Sequence, residues 1–493
     1  MKKILSLLVL FCTLYIYGND YYWVGGSGNW TDINHWRTSS GGTALPSVIP
    51  GPTDNVFFDA NSGFTSTSKT ITLDNTANCH NITFSGSAVA PTLSQSGSQT
   101  LNIYGSSEWQ TGMSNINVYN IYYRHTGEAK TIKSNGVKTG LTSGRLYFEE
   151  ENSISLLDDF EVLAYYFYQN AGTWNTNNHQ VTIASTFMTN YGSNKPTTLN
   201  LGSSIVYLNA TYSVFTTNSA LTKVNAGTSH LYFTKSNITS FGYGLSAHAS
   251  QSYFDVTFQS TGGVISGGAK YNRVEFKGDG SMYGNNTFKD LLFTAGKTYT
   301  LEVARTQTIE NWTLGGTPCD VTFVQSSTPG SRANVDVTAA NTKFNFGNLK
   351  DINASGKTLH FAEQSTIANQ NNNNITYDPY NPGSFDGLGP DWINHRINNA
   401  DSSTYMLTTN GFYGNMYTTY KWYKLNDSRY DPNISISMSK DIDIRDFGEG
   451  TYRVEVSYSD GQNITCVVPE EIFIKLLYIS RVYVNPNLRM RVK

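Results

Sequence analysis

In the middle of the chain, apolar positions return at a fixed interval. Tyr253-Phe-Asp-Val-Thr-Phe258, Tyr271-Asn-Arg-Val-Glu-Phe276 and Phe288-Lys-Asp-Leu-Leu-Phe293 share one six-residue pattern, with copies 17 to 18 residues apart. The fourth and sixth positions (Val256 and Phe258, Val274 and Phe276, Leu291 and Phe293) are two residues apart, so each pair shares one face of a strand. Repetition at this interval predicts stacked coils, each laying its inner residues on their counterparts in the next. Glycine-rich turns are expected between the strands, at Thr261-Gly-Gly-Val-Ile-Ser-Gly-Gly268 and Gly278-Asp-Gly280. Short alternating runs predict further strands at 70–73 and 81–84. Asn-rich segments such as Asn175-Thr-Asn-Asn178 suit coil corners, because Asn tolerates left-handed backbone and its amide can ladder from coil to coil.

The N-terminus adds a location. Lys2 and Lys3 precede an apolar run from Ile4 to about Tyr17, and Gly18-Asn19 opens a polar sequence, the layout of a secretory signal peptide over residues 1–18. The run is too short to predict a spanning helix, so no membrane insertion is expected once the signal is removed. Phe11 before Cys12 is too bulky for a lipid-anchor signal. Only 14% of residues are charged, while 33 Tyr and 43 Gly accompany abundant Asn, Ser and Thr, a balance that favours strands and turns over helices. The net charge of −3 argues against a nucleic-acid partner. So does the densest basic group, Arg481 to Lys493, a tail with few aromatics to stack on bases. After the signal, three dispersed cysteines remain, Cys79, Cys319 and Cys466, which indicates no disulfide framework. Cys79 and Cys319 each precede an apolar triplet and are expected to face inward from strands.

Residues 19–100 begin with a Trp-rich segment. Trp23, Trp30 and Trp36 fall among glycines, and two readings apply to them. They form a stacking platform for a sugar, or they plug the open end of the first coil, whose apolar cross-section and unpaired edges need a cover. The plug is the favoured reading. The run Tyr22-Trp-Val-Gly-Gly-Ser-Gly-Asn-Trp30, the pair His35-Trp36 and Pro50-Gly-Pro-Thr-Asp-Asn-Val-Phe-Phe-Asp-Ala60 resemble the start of large secreted surface proteins of gliding and biofilm-forming bacteria of the Bacteroidetes type. Segments 171–179, 198–204, 225–229, 294–301, 306–309 and 325–330 resemble the solenoid repeats of that family in the same order, so the resemblance spans about residues 20 to 375. It implies a β-solenoid at the cell surface or outside the cell, in an adhesive or matrix role.

With that resemblance, the chain reads as all-β: a right-handed parallel β-helix over 101–375, followed by a small Ig-like β-sandwich. Coils of roughly 17 to 25 residues give on the order of a dozen turns and a rod of roughly 60 Å. The Asn-rich run 369–374 is expected to end the periodicity, and Pro- and Gly-rich residues 376–400 to form a linker. In 401–470, Lys421-Trp-Tyr-Lys424 reads as an inner strand, and segments 434–438 and 448–457 alternate at period two. Gly450-Thr-Tyr-Arg-Val-Glu-Val456 resembles the late strand of Ig-like and PKD-like modules, with Tyr452 at a corner or in the core. Val482-Tyr-Val-Asn-Pro-Asn487 resembles the opening of a type IX sorting domain, which implies that the tail 471–493 is a truncated one.

β-Helices also serve as polysaccharide lyases and hydrolases, so paired carboxylates matter. The candidates are Glu149-Glu-Glu151, expected as a solvated turn, and Asp158-Asp159, which read as a turn between coils or, if in a strand, point to opposite sides. Neither pair comes with polygalacturonase signatures, and no Asp cluster suggests a calcium cage. The eight histidines show no metal-ligand spacing, and nucleophile-elbow and phosphate-loop motifs are lacking. The expectation is a non-catalytic secreted or cell-surface structural and adhesive protein without cofactor or metal, its partners extracellular glycans or matrix components. The alternatives are a carbohydrate-binding surface protein and a β-helical polysaccharide lyase or hydrolase.

Overall fold

Apolar–polar alternation at period two gives each strand one buried face, and parallel pairing with the coils on either side satisfies its backbone. The computed structural model of the protein describes residues 18–209, 215–217, 221–236, 251–316, 320, 322–339, 343–345, 347–355, 360–363, 371–377, 393–397, 405–409, 417–439, 441–443, 446–459 and 464–474. The expected signal segment with Cys12, Cys319, most of the expected linker and the tail beyond Ile474 lie outside these residues. The chain is all-β and forms a β-solenoid of about 11 turns. No helix among the described residues is long and apolar enough to cross a membrane.

Three parallel sheets run along the solenoid. Sheet I has ten strands, from Trp36–Arg37 and Asp20–Trp23 at one end to Thr222–Asn225 at the other. Sheet II has twelve, from Asn115–Ile116 to Ile352–Ser355, and sheet III has seven, from Ala77–Cys79 to Phe215–Thr217. From Ser107–Glu108 to residue 225 a coil visits sheets I, II and III in turn; before that, a three-stranded sheet of Gly28–Asn29, Thr70–Leu73 and Thr92–Gln95 stands where sheet II follows. From Ser252–Phe258 to Ala333–Val337, sheet II alternates with a five-stranded sheet IV that begins at Gly263–Ile265, and a three-stranded sheet of Lys343–Asn345, His360–Glu363 and Ile375–Tyr377 joins the last coils. A coil with three strands is longer: Ile82, Ser107 and Ile132 pair in register 25 residues apart. Val256 and Val274, on two-strand coils, are 18 apart. The interval visible in the sequence is therefore that of the second half alone. Where one plan gives way to the other, buried Gln251 bonds the last strand of sheet I through its side chain, accepting from the Val224 N–H (3.0 Å) and donating to the Thr222 carbonyl (2.6 Å).

The inner columns carry the core. Phe258, Phe276 and Phe293 pair in register on sheet II, as expected, and are at most 4% exposed. They end a longer column that runs through Val162, Ile183, Leu208 and Phe233. The glycine-rich segments expected as turns prove to contain the strands Gly263–Ile265 and Gly280–Met282. Space is the reason: a Cβ on Gly280 would stand 2.5 Å from the Phe276 ring, and one on Gly263 would stand 2.7 Å from Phe258. In the next coil the same register position is Tyr299, which stacks on Phe293 at 3.6 Å.

At the N-terminal end, Trp36–Arg37 pairs antiparallel with Tyr22–Trp23 and covers the edge of sheet I. Trp23 lies flat on His35 (4.6 Å) and edge-on to Trp36 (5.0 Å). Trp36 and Trp30 meet Phe58, which stacks on Phe84 at 4.1 Å. Deleting residues 20–60 would strip these rings from the first coil and free the edge of sheet I. Soluble yield and unfolding cooperativity should fall together, read by expression and chemical denaturation. A deletion that stays soluble and unfolds as sharply as the intact chain would count against a capping role.

Asn ladders join the coils. Asn225 donates to Asn200 (2.7 Å), Asn200 to Asn175 (2.6 Å) and Asn175 to Ser155 (2.9 Å). Asn177 and Asn178 adopt left-handed backbone, φ 50° and 67°. The run at 369–374 was expected to end the periodicity, yet its described residues extend it. Asn373 ladders onto Asn353 (2.8 Å) and Asn371 onto Asp351 (2.6 Å), and Ile375–Tyr377 adds a further parallel strand.

In the C-terminal region, Tyr417–Leu425, Gly450–Ser459 and Ile464–Ile474 form an antiparallel sheet in which Trp422 and Tyr452 are fully buried. The segment expected as a strand at 434–438 makes only a single antiparallel bridge, Ser437 to Trp422, and leaves Ile434 65% and Met438 70% exposed. An Asp431 turn leads into it, with the Asp431 side chain accepting from Asn433 N–H and its carbonyl from Ile434 N–H.

Candidate functional site

The three tryptophans singled out as a stacking platform, Trp23, Trp30 and Trp36, are each 0% exposed. As placed, none turns a ring face to solvent. Asp158 and Asp159 lie in the bend between Ser153–Leu156 and Phe160–Val162, and each binds a different neighbouring coil. Asp158 accepts from the Ser134 and Asn135 N–H groups (2.7 and 2.5 Å), and Asp159 from the Gln180 N–H (2.8 Å). Cys79 faces inward from Ala77–Cys79, and burial pushes its thiol well above the ordinary range. Among the described residues no cluster of His, Cys, Asp or Glu is suited to a metal ion.

The reading of Glu149–Glu151 as a solvated turn is corrected at its centre. The Glu150 and Lys130 side chains are both 0% exposed and pair at 2.7 Å. Glu150 also accepts from the N–H groups of Thr126 (2.9 Å), Gly127 (3.2 Å) and Asn152 (2.8 Å). Lys130 also donates to the Tyr104 carbonyl and the Thr126 hydroxyl, both at 2.6 Å. Burial by itself would raise the Glu150 pKa, but the Lys130 ammonium and the Asn152 and Thr126 amides outweigh it and hold the group at about 2. This carboxylate is a fixed structural anion at a coil corner. A three-glutamate run hides it, because sequence alone cannot show that the middle member turns inward toward a lysine one coil away.

Two features of the outer surface escaped the sequence reading. On sheet III, Tyr122, Tyr147 and Tyr168 pair in register and stack, with centroids 4.2 and 5.0 Å apart, and Tyr191 continues the stack at 4.8 Å. Arg124 lies 3.8 Å over Tyr122 and pairs with Glu149 at 2.6 Å. Neighbours cover the ring faces within this ladder, and Tyr191, 57% exposed, ends it. A depression of about 490 Å³ beside it is lined in part by His125, Glu149, Asn170 and Lys195. Its ionic groups are engaged too, with Lys195 on Glu151 and Arg124 on Glu149.

The second feature is a trough of about 340 Å³ on the outer face of sheet I. Tyr22, Phe57, Thr83, Glu108 and Lys133 form one outward column, one residue per coil, and Leu157 follows in the next. Phe57 stacks on Tyr22 at 4.9 Å on one side. On its other side the column drops to the small Thr83, which leaves that ring face to the trough. A parallel column, Asn55, Asn81, Ser106 and Thr131, makes a polar floor. Its members are linked coil to coil: Asn81 donates to Asn55 (2.8 Å) and accepts from the Ser106 N–H (2.7 Å), and the Ser106 hydroxyl accepts from the Thr131 N–H (2.9 Å). Lys133 and Glu108, neighbours in the outward column, pair at 2.8 Å. A scan at the 25-residue interval of the first half would find this column, whereas the more conspicuous 17–18 interval of the second half does not reach it.

Compared with family models, with curated proteins and with solved structures, the chain matches none.

Proposed function

We propose that the protein is a secreted or cell-surface structural and adhesive β-solenoid without catalytic activity, joined to an Ig-like module formed by the C-terminal antiparallel sheets. The observation that carries this reading is the regular set of outward columns along a parallel stack. Such a surface repeats one side-chain position per coil and offers an extended face to a polymer or a cell surface. The acidic residues considered for catalysis support it: Glu150 is bound to Lys130, and Asp158 and Asp159 hold main-chain N–H groups. Beads coated with the protein should adhere to cells or matrix glycans, and the soluble protein should release neither reducing ends nor unsaturated uronates from a polysaccharide panel. Replacing Asp158 and Asp159 with Asn should lower stability slightly and leave adhesion unchanged, since Asn still accepts from an amide. Release of sugar that this double substitution abolishes would overturn the reading in favour of a β-helical enzyme.

A further inference from the structure

We propose that the trough on sheet I binds a neutral polysaccharide chain, with one sugar ring packed on the open face of Phe57. The proposal deepens the adhesive reading by naming a ligand class and its site, and it rests on that reading for its biological setting. Length is the first argument. Phe57 and Leu157 stand four strands apart on sheet I, which at the spacing of neighbouring strands is roughly 19 Å. That suits a short stretch of polymer better than a single sugar.

Chemistry is the second. The C–H face of a pyranose is apolar and packs on an aromatic ring, while its rim of hydroxyls needs donors and acceptors at intervals. The trough supplies both, an unoccupied face of Phe57 and a floor of amides and hydroxyls repeated once per coil. The hydroxyls of Thr83 and Thr131 have no hydrogen-bond partner among the described residues, so they are available to a ligand. Charge is the third argument. Lys133 and Glu108 neutralise each other, so the trough offers no uncompensated cation to a uronate, and an uncharged chain is the better fit. A peptide adding itself as a strand is disfavoured, because the trough lies on the face of the sheet, where backbone groups are already paired with neighbouring coils.

The test titrates the full chain with cellohexaose, mannohexaose, xylohexaose and polygalacturonate by calorimetry. At least one neutral hexaose should bind, with an affinity insensitive to salt. Thr83→Tyr should weaken that binding about tenfold or more by placing a ring over Phe57. Its thermal midpoint should hold or rise, because the new ring extends the Tyr22–Phe57 stack. Phe57→Ala should weaken binding to a similar degree, with the Thr83→Tyr result guarding against misfolding as the cause. The proposal is overturned if no neutral hexaose binds, if Thr83→Tyr leaves affinity within about twofold of the parent, or if only polygalacturonate binds and salt abolishes it. Bead adhesion measured in parallel separates the two readings. Adhesion that persists without hexaose binding removes the trough and keeps the adhesive function. Hexaose binding without adhesion supports the trough and removes the adhesive function.

Discussion

Phe276→Ala should destabilise the solenoid by about 3–5 kcal/mol, among the largest losses a single substitution in this core can cause. The ring is fully buried between Phe258, stacked at 4.7 Å, and Phe293, edge-on at 5.9 Å. Tyr299 and Gly280 close the remaining sides. None of these neighbours can move far into the cavity, since each is held in register by its own coil. The void therefore stays largely open and its lining loses dispersion contacts. Phe276→Leu should cost clearly less. Guanidinium unfolding followed by circular dichroism checks the magnitude, and amide exchange over 253–301 should show the loss concentrated there, as in other repeat arrays with nearest-neighbour coupling. A cost below about 1 kcal/mol would contradict a rigid column.

Lys130→Met should cost a comparable 3–5 kcal/mol, because it leaves the Glu150 carboxylate buried without its cation. The informative variant is the double substitution Lys130→Met with Glu150→Leu. Replacing both charges with apolar groups of similar size should recover part of the loss, since a buried ion pair contributes little beyond offsetting its own desolvation; the remainder is the Thr126, Gly127 and Asn152 N–H groups that a Leu leaves without an acceptor. If the double variant is as unstable as the single one, packing rather than an orphaned charge is responsible. The same site predicts a pH dependence. The Glu150 pKa is depressed in the folded state to about 2, so the unfolded chain takes up its proton first as pH falls. Its contribution is present in full above the ordinary glutamate range and is lost progressively as pH drops toward 2. Thermal midpoints measured across this window should fall for the parent and fall less steeply for Glu150→Gln.

Much of this architecture is legible in the residues, for a simple physical reason. A stacked coil must bury the same positions turn after turn, so the Val256–Val274–Leu291 and Phe258–Phe276–Phe293 columns appear as a period and their register follows from it. The coil-joining Asn ladders are legible for a related reason, because side-chain type and left-handed tolerance are local properties. Gly263 and Gly280 read locally as turn formers, and only the rings packed over them show that they are strand residues making room. The coil length of the first half was less legible, since three-strand coils with varied corners blur the interval.

Sequence by itself determined that the chain is all-β, that its coils stack and which aromatic rings share a column, because these follow from local alternation and repetition. Tertiary structure alone decided which residues face each other across coils. It turned Glu150 inward to Lys130, buried Trp23, Trp30 and Trp36, assigned Asp158 and Asp159 to main-chain amides of different coils, and set Phe57 above a floor of Asn81, Ser106 and Thr131. Such pairings join residues about one coil apart in sequence, and their partners depend on how many strands each coil contains, a quantity that no short window of sequence reveals.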